Sequence, residues 1–138
     1  MKIVLLEAEF PSTLSILQFY SKLKEVKIVC VTSSKLPILF FSKFKKNGKI
    51  LRYPEPKYIS FISQVEKKKR IKLFQKVICQ VVKENKIDYI FSQSENTLIP
   101  LLLIRKRLKE KLPYPSLKAI NTLHDKPKLY KYFLNIYI

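Results

Sequence analysis

The sequence predicts a three-layer α/β fold: a mainly parallel, doubly wound sheet of about four to five strands with helices on both faces. Three observations lead there. Short apolar runs such as Ile3 to Leu6 have the pattern of strands buried on both faces. They alternate with longer stretches whose apolar residues recur three and four apart, the helical crossovers that parallel neighbours require. The chain has 138 residues, 47% hydrophobic and 12% aromatic, which is the size of one domain with apolar side chains enough for one core.

The elements follow in order. Ile3 to Leu6 is the first strand, and Pro11-Ser12-Thr13 opens a helix carrying Leu14, Leu17 and Leu23 at helical spacing. Val26 to Val31 repeats the buried pattern, interrupted only by Lys27. Thr32-Ser33-Ser34 then offers caps to a helix over Leu36 to Lys45, with Pro37 in its first turn. Asn47-Gly48 marks a turn, Ile50 to Tyr53 a short strand, and Pro54 and Pro56 its end. Ile71, Phe74, Ile78 and Val81, widened by Val77 and Val82, form the apolar stripe of a long helix ending near Asn85. Lys67 to Arg70, Lys72, Lys76 and Lys83 take its other faces. Ile87 to Phe91 is the next strand, with Asp88 at its start, and the polar turn Ser92-Gln93-Ser94-Glu95-Asn96 leads into a helix with Leu98, Leu101, Leu102 and Leu108 inward. Pro100 sets the start of that helix near Asn96, so that the proline falls in or close to the first turn. Pro113 and Pro115 end it, a brief strand covers Ser116 to Ile120, and Asp125 begins a last helix with Leu129 and Phe133 inward.

Several function classes are excluded by what the chain contains. Gly48 is the single glycine, whereas a Walker loop or a dinucleotide fingerprint needs several for close backbone approach to phosphates. His124 is the single histidine, with no Cys or His at ligand spacing, so no metal site is expected, and no serine sits in a nucleophile elbow. Cys30 and Cys79 lie inside apolar runs and read as small buried hydrophobes in a reducing compartment, without a disulfide. No apolar stretch approaches the roughly 20 residues of a membrane span and no secretory signal is present, so the expectation is a cytoplasmic protein with no membrane partner.

Charge leaves two readings. With 28 Lys+Arg against 10 Asp+Glu the net charge is +18, a field that attracts polyanions, and a nucleic acid could dock on Lys67 to Arg70 and Arg105 to Lys111. The weightier reading is compositional, because lysine is spread over nearly every segment as a well-hydrated surface residue.

Ligands of doubly wound sheets bind at the carboxyl ends of the strands, which directs attention to Glu7 to Thr13, Thr32 to Lys35 and Ser92 to Asn96. The substrate-cleft candidates there are Glu7, Glu9, Ser94, Glu95 and Asn96, with helix capping as the competing role of Ser94 or Asn96.

Three words stand in a suggestive order: Asp88-Tyr89-Ile90-Phe91, Ser94-Glu95-Asn96, and Asp125-Lys126-Pro127-Lys128-Leu129, with Pro113-Tyr114-Pro115 between the last two. This order resembles the N-terminal region of ATP-grasp enzymes, the group of biotin carboxylase, carbamoyl phosphate synthetase large subunits, D-alanine ligase and many amino-acid ligases. In those proteins a Rossmann-like preATP-grasp domain ends in a strand, a polar turn and an apolar helix, and then leads into Asp-Lys. The resemblance implies that residues 1–120 are the preATP-grasp domain and 121–138 the start of the linker and helix toward an ATP-grasp domain. By the same resemblance Lys126 reaches nucleotide phosphates, and the chain is a truncated, substrate-side part of an ATP-dependent ligase, inactive alone. No catalytic residue or metal ligand is expected in it; ATP and magnesium are implied for the complete enzyme. The partner implied is a missing ATP-grasp domain or a separately encoded subunit, and a homodimer is also compatible. One departure stands out: Glu7-Ala8-Glu9-Phe10 follows the first strand, where the family often has glycine. A glycosyltransferase-like front half shares the alternation of strands and helices but gives Asp125-Lys126 no role.

Overall fold

The computed structural model describes residues 1–35, 37, 41, 43, 48–55 and 63–137. Among them the apolar runs become four parallel strands, β1 (Lys2–Leu6), β2 (Lys27–Thr32), β3 (Gly48–Arg52) and β4 (Tyr89–Phe91), in one sheet ordered β3-β2-β1-β4. The chain thus winds outward from β1 through β2 to β3 and returns to add β4 on the other side of β1. In register, Ile3 stands between Ile28 and Tyr89, and Leu5 between Cys30 and Phe91.

Alternation along the strands divides the core between two faces. Ile3, Leu5, Ile28 and Cys30 pack with Leu17 of α1 (Ser12–Tyr20) on one face. Val4, Leu6, Val29 and Val31 pack on the other with Phe74, Ile78, Val81 and Val82 of α2 (Gln64–Asn85) and with Leu101 and Leu102 of α3 (Glu95–Leu103). Helices on both sides of a parallel sheet make this a three-layer α/β domain. Phe74 is fully buried and meets Tyr53 edge-on with ring centroids 5.1 Å apart; its truncation to Ala would cost about 3–5 kcal/mol.

The ends of α2 explain its length. Ser63 Oγ accepts from the Glu66 N–H at 3.2 Å, satisfying one of the unpaired donors of the first turn. At the other end Lys86 takes φ 51°, and paired bonds from the Ile87 N–H to Val82 O (3.1 Å) and the Lys86 N–H to Lys83 O (3.4 Å) close the helix as a Schellman motif.

After α3 come α4 (Arg105–Leu108), a single 3-10 turn (Lys109–Lys111), α5 (Leu117–His124) and α6 (Lys126–Tyr137). The structure corrects two expectations. Ser116 to Ile120 is not a strand: Ser116 Oγ accepts from the Ala119 N–H at 3.1 Å and starts α5, whose Ile120 is buried in the larger core. A strand there would need a neighbour, and the open edge of β4 is already taken by Lys111 and Tyr114, as described below. α3 starts at Glu95, within one residue of the expected start, which leaves Pro100 just past the first turn; its carbonyl accepts from Gln75 Nε2 of α2 at 2.8 Å. Leu23 lies beyond the end of α1 and is 45% exposed, not inward.

Cys30 is buried and Cys79 half-buried, both as free thiols. Most of the helix expected over Leu36 to Lys45 lies outside the described residues, as do the side chains of His124 and Phe133. No helix among the described residues is long and apolar enough to cross a membrane.

Candidate functional site

In the order β3-β2-β1-β4 the winding direction reverses between β1 and β4, so the carboxyl ends of those two strands flank a crevice that no crossover fills. The residues leaving the two strands meet there. Glu7, directly after β1, is 4% exposed and sits at φ 60°, a left-handed conformation that costs a residue with a Cβ about 1 kcal/mol. Its carboxylate accepts from the Gln93 N–H at 2.8 Å and from the Ser94 hydroxyl. Gln93 returns the contact, its side-chain amide donating to Leu6 O (2.8 Å), Glu7 O (3.2 Å) and Thr13 Oγ1 (2.8 Å), while its carbonyl accepts from Ser12 Oγ. Thr13 Oγ1 in turn donates to Glu7 O at 3.1 Å. The exits of β1 and β4 and the first turn of α1 are therefore one hydrogen-bonded unit.

The outer side of β4 is held differently. As an edge strand it would leave backbone groups unpaired. Tyr114 occupies that edge: its hydroxyl accepts from the Ser92 N–H at 2.7 Å and donates to Ser92 O at 2.9 Å, as a neighbouring strand would. Lys111 Nζ donates to Ile87 O at the strand's start. Arg105 fixes the tyrosine's own backbone by donating to Tyr114 O (2.7 Å) and Pro115 O (2.8 Å). Burial raises the Tyr114 phenol above its ordinary value, opposed by the bond to Ser92, so the neutral hydroxyl that can both donate and accept is favoured.

Between these two supports opens a cleft of about 710 Å³. One wall is the polar turn Ser92 to Asn96; the other is apolar, from Leu98, Pro115, Ile120 and Leu123, with Tyr114 at the junction. Inside the turn, Ser92 Oγ lies 2.6 Å from Thr97 Oγ1 and donates to Ser94 O at 2.9 Å. Ser94 precedes α3 yet makes no side-chain cap, because its hydroxyl is committed to Glu7.

Of the residues singled out from sequence, Ser94, Glu95 and Asn96 line this cleft. Glu7 lies beneath it as a support rather than in its lining. Glu9 is at the neighbouring strand end, where its carboxylate accepts from Thr32 Oγ1 (2.5 Å) and Ser33 Oγ (2.9 Å) and ties the exit of β1 to that of β2. Lys126 is the exposed first residue of α6 and is not in the cleft lining. Sequence reasoning missed Gln93 and Tyr114. The available signal was a long amide directly after a buried strand, and a tyrosine whose backbone two flanking prolines stiffen.

Other reactive groups do not compete for the role. Burial pushes the Cys30 thiol up to about 12, leaving no thiolate to act as a nucleophile. Tyr53 is likewise raised, by burial first and then by the charges of Glu9, Glu7 and Glu55. Among the described residues no group of three or more His, Cys, Asp or Glu could hold a metal ion. No protein-family model, curated protein or solved structure matches the chain.

Proposed function

We propose that this domain is the substrate side of an ATP-grasp ligase, of the carboxylate-amine or carbamoyl phosphate synthetase-like kind, and that it holds its organic substrate in the cleft at the carboxyl end of β4. The observation that carries the reading is the placement of Ser94-Glu95-Asn96: the word that resembles the family's polar turn lines a cleft beside the sheet's switch point. The electrostatics support an acid bearing an amino group. Glu95 brings a negative charge, and the first turn of α3 brings the positive end of its peptide dipoles, so the cleft suits a substrate carrying both signs. The apolar wall of Leu98, Ile120 and Leu123 would cover the remainder of such a molecule.

In this reading the chain binds and orients, and Glu7 and Gln93 keep the turn in its binding shape. Activation of the acid by ATP and magnesium belongs to residues outside this set, supplied by a following segment or by a separate subunit. Lys126, exposed at the start of α6, would contact phosphates held mainly by that other part.

The test is amide-resolved titration of the isotopically labelled chain with a panel of amino acids and small dicarboxylic acids. Saturable shifts confined to Ser92 to Asn96, Tyr114 and Leu123 are expected with at least one acid, weakened about tenfold by Glu95→Gln, because one charge-assisted hydrogen bond is worth about 1.5 kcal/mol or more. ATP alone should produce no hydrolysis and only weak shifts. Silence of the cleft toward every acid, or saturable micromolar ATP binding by this chain alone, would overturn the proposal.

A further inference from the structure

The basic runs of the sequence do not all face solvent as cations available to a ligand. Arg105 is spent on the Tyr114 and Pro115 carbonyls and Lys111 on the Ile87 carbonyl just before β4, and Arg70 pairs with Glu66 at 2.7 Å. A different set converges. Along α2, Lys69, Lys72, Lys76 and Lys83 are exposed and spaced three, four and seven apart, which puts them on one stripe roughly 20 Å long. Lys106 and Arg107 of α4 face this stripe, and together with Lys72 and Lys76 they line a groove of about 650 Å³ between the helices. Gln75, Cys79, Leu103 and Ile104 form the rest of its lining, with no acidic side chain among them.

We infer that this groove is a binding site for the phosphate backbone of a double-helical nucleic acid, read without base contacts. It is separate from the cleft at the end of β4 and does not depend on the ligase reading. Cations arriving from two helices onto a concave surface focus potential more strongly than the same number scattered over a convex one. Lys72 and Lys76, one helical turn apart, bring two ammonium groups to one backbone, and the Arg107 guanidinium adds a planar donor suited to phosphate oxygens. The lining contains no aromatic residue on which unstacked bases could lie, which favours a duplex over a single strand. Leu103, 55% exposed at the groove, offers an apolar contact for sugar edges.

The lysine-rich composition supplies the control, because equal charge can be removed elsewhere. One variant carries Lys72→Gln, Lys76→Gln, Lys106→Gln and Arg107→Gln; the other carries Lys22→Gln, Lys24→Gln, Lys27→Gln and Lys118→Gln, all at exposed positions. Binding to fluorescently labelled RNA and DNA duplexes of about 20 base pairs, and to a single strand of that length, is measured by anisotropy across a salt series, with far-ultraviolet circular dichroism as the check on folding. The groove variant should lose at least about tenfold in duplex affinity at low salt and flatten the salt slope by about three to four, while the control changes by less than about threefold. Equal losses in the two folded variants, tighter binding to the single strand than to the duplex, or no duplex binding by the unaltered chain at low salt would each overturn the assignment.

Discussion

The two ends of the sheet are both polar, yet they use their polar groups in opposite ways. At the amino end, side chains and the terminus satisfy backbone groups in or just before the strands: the Lys2 N–H donates to Asp88 Oδ2 at 2.7 Å, Met1 N to Glu25 O at 3.0 Å, and Lys111 Nζ to Ile87 O. At the carboxyl end, side chains also bond one another. Glu7 with Ser94, Gln93 with Ser12 and Thr13, Glu9 with Thr32 and Ser33, and Ser92 with Thr97 are all side-chain pairs. Such pairs are the minority among protein hydrogen bonds, and they fix orientations that strand pairing alone leaves open. Their concentration beside the cleft is the signature of a preorganised surface, whereas the amino end finishes off the sheet.

The largest break in this contrast should come from Glu7. Glu7→Ala leaves the part-buried Gln93 N–H and Ser94 hydroxyl without their acceptor, and the expected loss is about 2–3 kcal/mol in the free energy of unfolding, read by urea denaturation. The backbone separates a second contribution. Glu7→Gly loses the same bonds but relieves the left-handed strain, so it should be less damaging than alanine by about 1 kcal/mol. If glycine were no better than alanine, the conformation of Glu7 would not be costing stability.

A smaller effect tests the outer support. Tyr114→Phe removes one oxygen that serves both backbone groups of Ser92, which stay partly wet at the sheet edge, so a loss of about 1–2 kcal/mol is expected. The pH dependence has a definite sign. The folded-state value of Tyr114 is raised, so the folded chain holds a proton that the unfolded chain releases. That contribution is fully present below the ordinary value of 10.0 and is lost as pH rises through the folded one. Tyr114→Phe should therefore flatten part of the alkaline decline in stability.

The same contrast explains how much could be read beforehand. The four strands were visible because a parallel sheet buries both faces, so Ile3 to Leu6 and Ile28 to Val31 leave an uninterrupted apolar signal. The stripe on α2 was legible from its period. Ser116 to Ile120 misled because a five-residue apolar and polar mixture carries no period long enough to distinguish a strand from a helix start, and the deciding fact was the occupied edge of β4. Ser94, Glu95 and Asn96 could be located from the strand they follow. Gln93 and Tyr114 carried only local signals, and their roles were not legible because they depend on partners 80 and 22 residues away that only the folded topology brings together. The basic residues Lys72, Lys76, Lys106 and Arg107 were visible in sequence, but their convergence on one groove was not, because it depends on the packing of α4 against α2.

The smallest effect should come from the amino end and completes the comparison. Asp88 is exposed, and the Lys2 N–H that it accepts can turn to water when the carboxylate is removed. Asp88→Ala should then cost only about 0.5–1 kcal/mol, the net worth of an ordinary hydrogen bond rather than the penalty of a stranded buried donor. Because β4 separates Asp88 from the turn at Ser92, amide shifts of the cleft residues should be unchanged in that variant, with or without an acid bound. A loss as large as that of Glu7→Ala, or displaced resonances in Ser92 to Asn96, would mean that β4 transmits strain along its length and that the two ends act as one unit.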